Sequence, residues 1–324
     1  MKKINKLLLG IGVLGLICSS CTTKEEDLGS SNINISTPVL NETDKWLRDN
    51  YTTPYNIEVS YKWGPGKVDL NRYLHPPKIE NVRPAMEAIK AVWVEPYSQL
   101  GGENFIKNIA PREILLVGGQ NINPGGATSV LGLAESGMRI VFFEVDNQDY
   151  KNKDQLIQFI GTIQHEYIHI LNQRIPFDEI AYRNITPSDY TGQWFEISDA
   201  EARELGFISA YARANEHEDF AEMINAMLSN SPTEYNDLIN GIKKGIVDKA
   251  IQEAVAALGA GATPLQIQIA TDAAITVATP EGDKVINLIK QKEAIVVKYY
   301  KDNFNIDLYE LQELVAKNVD EFTK

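Results

Sequence analysis

Residues 154–173 read DQLIQFIGTIQHEYIHILNQ, and their periodicity decides what the rest of the chain is built around. Leu156, Ile160, Ile163, Tyr167 and Leu171 recur at three- and four-residue spacing, the pattern of one helix face. Gln158, Thr162, His165, His169 and Asn172 fall on the roughly opposite side. An otherwise apolar helix with a single polar stripe predicts burial, with the stripe looking into a cleft.

That stripe contains His165-Glu166-Tyr167-Ile168-His169, an HExxH motif. Residues four apart on a helix share a face, so both imidazoles reach one zinc ion and Glu166 borders the water such an ion activates. Zinc lowers the pKa of that water towards neutrality, and a glutamate there takes its proton and passes it to the leaving amine. Neither a serine nor a cysteine nucleophile is required. The plainer alternative is a pair of cleft histidines satisfied by hydrogen bonds.

A third protein ligand is needed. The metzincin extension calls for glycine and histidine where this chain has Asn172 and Ile175, which excludes that class. Downstream stands Glu218-Asp219-Phe220-Ala221-Glu222, 49 residues beyond His169, enough for a loop and a returning antiparallel helix. Glu218 and Glu222 share a helix face, whereas His217 and Asp219 project to either side. One acid of such a pair can bind zinc while the other accepts a hydrogen bond from the distal nitrogen of a ligand histidine. His75, beside Pro76 and Pro77, reads as structural.

The chain has 324 residues and a formal charge of −13. Its first twenty residues look like an export signal: Lys2, Lys3 and Lys6 precede an apolar run over 7–17, too short to span a bilayer. Removing 1–20 takes away those three lysines and no acid, moving the charge from −13 to −16. Nucleic acid is excluded as a partner, because phosphate binding needs a basic footprint. Small residues before Cys21 mark it as the lipidation site, in preference to Cys18, which follows the bulky Ile17. With Cys21 acylated, no disulfide is possible. Residues 21–40 read as a flexible tether, opening on the acidic run Glu25-Glu26-Asp27.

Elsewhere the patterns predict a short helix over 42–50, a strand over 56–63 ended by Gly64-Pro65-Gly66, and a helix over 82–100. Strands are expected at 113–117 and 139–145, flanking a turn or flap around Pro124-Gly125-Gly126. Residues 175–194 look loop-like, 198–228 helical with a break near Asn215, and everything from 233 onward helical, including the Ala-rich stretch 249–278. The expected fold class is α+β: a small mixed sheet packed on the HExxH helix, then a mainly helical C-terminal part. The expected organisation is a signal peptide over 1–20, a tether over 21–40, a zincin-like catalytic domain over 41–232 and a helical subdomain over 233–324.

The histidine pair with its downstream acids resembles the gluzincin metallopeptidases, the thermolysin-like class with two histidines and a glutamate. More closely, the leader, His165-Glu166-Tyr167-Ile168-His169-Ile170-Leu171 and Asn215-Glu216-His217-Glu218-Asp219-Phe220-Ala221-Glu222 resemble the zinc-binding metallopeptidase lipoproteins of Bacteroides-type bacteria. Those accompany outer-membrane nutrient-import systems as substrate-import-associated zinc metallohydrolases. The likeness runs from the leader to about residue 240 and touches Asn305-Ile306-Asp307-Leu308, while the Ala-rich part carries no family signal.

The resemblance implies that Glu218 coordinates zinc and Glu222 orients a histidine. It also implies a role for Tyr211, seven residues before Glu218: in lethal-factor-type toxins a tyrosine in the matching place points at the zinc, where its hydroxyl stabilises an oxyanion. A packing role for Tyr211 is the equal alternative. The leading expectation is a zinc metallopeptidase acting on peptides or glycoprotein-derived material, held by a lipid anchor in the outer membrane, facing the cell surface or the periplasm beside import proteins. The competing expectation is a zinc-containing binding lipoprotein with little or no turnover; an amidohydrolase for non-peptide amides stays open. The intact Glu166 favours an enzyme, because a structural metal site needs no general base.

Overall fold

The structure, a computed structural model, describes residues 39–324 apart from 70, 103, 123–128, 131, 136 and 137. The leader, Cys21, most of the tether and the Pro124-Gly125-Gly126 loop lie outside the described residues. Asn41–Lys324 forms one compact unit.

Its sheet is built from short strands, of which the two central ones carry apolar side chains on both faces. β1 (Glu58–Ser60), β2 (Glu113–Leu116) and β6 (Arg139–Phe142) run parallel, and β5 (Gly132–Glu135) pairs antiparallel with β6, giving the order β1-β2-β6-β5. A two-residue pair, β3 (Asn121–Ile122) with β4 (Ser129–Val130), stands apart. Ile114, Leu116, Ile140 and Phe142 face the main core, while Leu115, Val117, Val141 and Phe143 form a smaller cluster on the other side. Burial on both faces explains the continuous apolar runs in β2 and β6. The strand expected over 56–63 shrinks to β1, and β5 was not anticipated at all.

The first helix among the described residues, α1 (Glu42–Leu47), continues through a wide π turn over Arg48–Thr52. α2 (Ile79–Ile89), a second π turn over Lys90–Val94 and α3 (Glu95–Gly101) likewise make one run where a helix over 82–100 was expected. In both places a proline, Pro54 or Pro96, stands two residues after the π turn. Proline lacks an N–H and crowds the carbonyl four residues back, and the wider turn absorbs both defects.

α4 (Lys153–Arg174) is the HExxH helix, started by Asn152, whose side chain accepts from Asp154 N and Gln155 N. Tyr167 on its back face packs edge-on against Trp93 and Tyr97, with ring centroids 4.9 and 5.2 Å away. Gln164 accepts a 2.9 Å hydrogen bond from the Tyr97 hydroxyl, itself 2.9 Å from the Tyr300 hydroxyl. These contacts set the roll of α4 and leave His165, Glu166 and His169 partly buried on its other side.

The helix expected over 198–228 does break at Asn215, but it is interrupted upstream as well. Only Asp199–Glu204 and α5 (Glu216–Leu228) are α-helical; between them Gly206 turns the chain at φ 87° and Tyr211–Ala214 is a 3-10 turn. The loop expected at 175–194 contains a helical turn, Glu179–Arg183. Beyond it come α6 (Pro232–Ala257), α7 (Pro264–Phe304) and α8 (Leu308–Phe322). The Ala-rich stretch is thus a helical hairpin rather than one helix, broken at Gly259 (φ 77°) and restarted by the Thr263–Gln266 capping box. Ile289, Val296, Tyr300, Leu311 and Val315 from these late helices join the same core as α4 and α5.

Candidate metal centre

α5 starts at a fixed point, because Asn215 is extended and its side chain accepts from His217 N and Glu218 N. It then passes close to α4 at Gly161, where a Cβ would lie 2.7 Å from Asn225 Oδ1 and 3.2 Å from Ser229 Oγ. A larger residue at Gly161 would have to push those side chains aside. The close approach brings the acids of α5 over His165.

The outcome is a triangle of donor atoms. Glu218 Oε2 lies 3.0 Å from His165 Nε2 and 3.3 Å from His169 Nε2, and the two Nε2 atoms are 3.1 Å apart. Zinc bonds of about 2.0–2.1 Å in tetrahedral geometry set donors roughly 3.3 Å apart, so the residues fit that ion and leave a fourth position open. Behind the triangle, Glu222 Oε1 sits 2.9 Å from His165 Nδ1. Glu222 is itself held by Ser209 Oγ, which donates to Oε2 at 2.6 Å, and by Asn225 Nδ2, which donates to Oε1 at 3.2 Å. A carboxylate on Nδ1–H fixes the tautomer that turns the Nε2 lone pair towards a metal.

Charge tells the same story. Burial works against an ionised His165, yet hydrogen bonds to Glu218 and Glu222 outweigh it and hold its pKa up at about 10. Burial likewise raises Glu218, but His165 and His169 overcome it and keep the carboxylate well below the usual range. Glu222 is also lowered, by His165 and Ser209 against burial. Glu166, Glu218 and Glu222 thus surround two imidazoles with an excess of negative charge, a setting for a cation.

Tyr211 stacks on His165, ring centroids 5.7 Å apart, and its other edge meets Trp194 at 4.9 Å. Burial and the neighbouring Glu218 push its phenol pKa up, so the hydroxyl stays protonated. Glu166 lies where β5 begins: a Cβ on Gly132 would come within 3.4 Å of Glu166 Cγ and 2.2 Å of Thr162 Cγ2.

All the described residues expected at the site are therefore brought together, namely His165, Glu166, His169, Tyr211, Glu218 and Glu222. Cys21 lies outside the described residues. The sequence reading missed Ser209, which anchors Glu222; nothing in its surroundings distinguishes it from other loop serines. Among the described residues one further group of potential ligands appears, Glu179, Glu216 and His217.

A family described as "Putative zinc-binding metallo-peptidase" matches residues 36–309 of the chain. A crystal structure of a "putative zinc-binding metallo-peptidase" from Bacteroides caccae superposes with a TM-score of 0.62 at 24% identity, covering 88% of this chain and 95% of that one, and shows the same fold. No curated protein matches the chain significantly.

Proposed function

The chain belongs to this zinc-binding metallo-peptidase family, and from that premise we propose that it is a gluzincin-type enzyme hydrolysing peptide bonds at a bacterial cell surface or periplasm, in the service of nutrient import. The observation that carries the gluzincin reading is the Glu218, His165 and His169 triangle with Glu222 behind His165. His165, His169 and Glu218 would hold the zinc, and the bound ion supplies Lewis-acid chemistry, activating water and polarising a carbonyl.

The protein's own groups supply the rest. Glu166 stands on the cleft side of α4, outside the donor triangle, and serves as general base, taking a proton from the attacking water and handing it to the leaving amine. Tyr211, kept protonated by burial and Glu218, donates a hydrogen bond to the developing oxyanion. β5 is the end strand of its sheet and starts beside Glu166, so an extended peptide adding to it by backbone pairing would pass the reacting groups.

The location rests on the leader and Cys21. No helix among the described residues is long and apolar enough to cross a membrane. Cys21→Ser should release the protein from membranes; membrane association persisting in that variant would remove the anchor. For the activity, purified wild type is assayed on broad peptide libraries. Cleavage that stops on zinc removal and returns on its addition is expected, whereas zinc binding without cleavage of any peptide would favour the binding lipoprotein.

A further inference from the structure

Asp219 follows the ligand candidate Glu218 and forms an ion pair with Lys292 of α7 that no step above uses. Both side chains are fully buried, with Lys292 Nζ 2.6 Å from Asp219 Oδ2. Nζ also donates to Gly206 O at 3.0 Å and lies 3.7 Å from the centre of the Phe207 ring. The Tyr190 hydroxyl donates to Asp219 Oδ2 at 2.8 Å, and the Tyr182 hydroxyl donates to the Asp219 carbonyl at 3.2 Å. Gly206 itself is irreplaceable here: its φ is 87°, and a Cβ would come within 2.9 Å of Leu288 Cδ1 on α7.

Stability is a weak reason to bury such a pair, since well-packed apolar residues often do as well. What the pair fixes is position. Asp219 lies in the first turn of α5, one residue from Glu218, and that turn receives hydrogen bonds from three directions. We propose that Lys292 is a positioning residue for the metal centre: through Asp219 it sets the first turn of α5, and with it the distance of the Glu218 carboxylate from His165 and His169. This rests on the metal centre proposed above. It makes α7 part of the site's construction, although none of its residues is among the donors.

The test is zinc affinity of the purified full-length chain, measured by competition with a chromogenic chelator. Lys292→Met should weaken binding by roughly ten- to a hundredfold, the usual effect of losing an outer support. Combining it with Asp219→Asn, which leaves no charge stranded but still lacks the tie to α7, should not restore the affinity. Full recovery would trace the loss to the unpaired acid and remove the positioning role. Tyr190→Phe, which keeps the ion pair and the fold, should weaken binding by about two- to tenfold. Val296→Ala, one turn further along α7 and buried, should lower the melting temperature and leave zinc affinity unchanged. His169→Ala, run alongside, should lose zinc. If it keeps zinc, the metal centre itself is misassigned. If it loses zinc while Lys292→Met and Tyr190→Phe stay within about twofold of wild type, or if Val296→Ala loses as much as Lys292→Met, Lys292 has no positioning role. Should Lys292→Met fail to fold, Tyr190→Phe decides.

Discussion

Two groups of potential ligands, each made of histidine and glutamate, hang on the first turn of α5, and they differ in burial and in what surrounds them. His165, His169 and Glu218 are mostly sheltered, with side chains 12, 20 and 19% exposed. Glu179, Glu216 and His217 have the same chemistry within the same spacing, yet His217 is 46% and Glu179 44% exposed. Glu216 already has a cation, Arg183 Nη1 at 3.1 Å. His165 has Glu222 on its rear nitrogen; His217 Nε2 lies 3.6 Å from Glu179, too far for a hydrogen bond, and its ring leans edge-on against Phe177. Donor type and proximity are therefore not enough. A histidine anchored from behind and a sheltered position separate the first cluster from the second, solvated one.

The sharpest way to break that contrast is to remove a donor. His169→Ala should leave the dialysed protein without stoichiometric zinc, a loss exceeding the roughly hundredfold upper range for outer supports, as read by metal analysis. Retained zinc would move the centre elsewhere. Next in size, Glu166→Gln should keep zinc while losing at least about a hundredfold in peptide hydrolysis, the lower range for general acid–base catalysis. A variant that still turns over a confirmed substrate would remove Glu166 from the mechanism. Glu222→Ala should weaken zinc by roughly ten- to a hundredfold without abolishing it, which chelator competition resolves.

Smaller still is a pH effect on zinc-free protein. Against the pull of burial, hydrogen bonds to Glu218 and Glu222 hold folded His165 at about 10, while an unfolded imidazole titrates near about 6.5. That stabilisation is complete below about pH 6.5 and is lost as pH rises through about 10. Melting temperatures of zinc-free protein should fall across this window. Zinc-loaded protein, whose histidines bind as neutral ligands, should hold its own, and identical profiles would contradict the assignment. At the bottom of the scale, His217→Ala should change zinc affinity by less than about twofold.

How much of this the chain discloses depends on whether a local pattern or a distant partner decides. α4 was legible almost to the residue, because its apolar period and polar stripe are both local. Glu218 and Glu222 were legible because they share a helix face. β5 was not, since Gly132, Ala134 and Glu135 have little strand preference and the strand exists through pairing with β6. The segment 205–214 misled because its alanines read as helix, while Gly206 at positive φ and the tie of Ser209 to Glu222 hold it in another shape. The break in the Ala-rich stretch did leave a trace, Thr263-Pro264-Leu265-Gln266, a capping box with proline at the first helical position. Lys292 also left one: it falls on the stripe Val285, Ile289, Val296 and Tyr299, where a lysine is out of place unless it meets a buried acid.

The most direct measurement is a crystal structure of the zinc-loaded protein with anomalous data collected at the zinc edge. The expected result is a full-occupancy peak bonded to His165 Nε2, His169 Nε2 and a Glu218 oxygen, with Glu222 on His165 Nδ1. A peak between Glu179, Glu216 and His217, or no ordered zinc at the His165 and His169 pair, would contradict it.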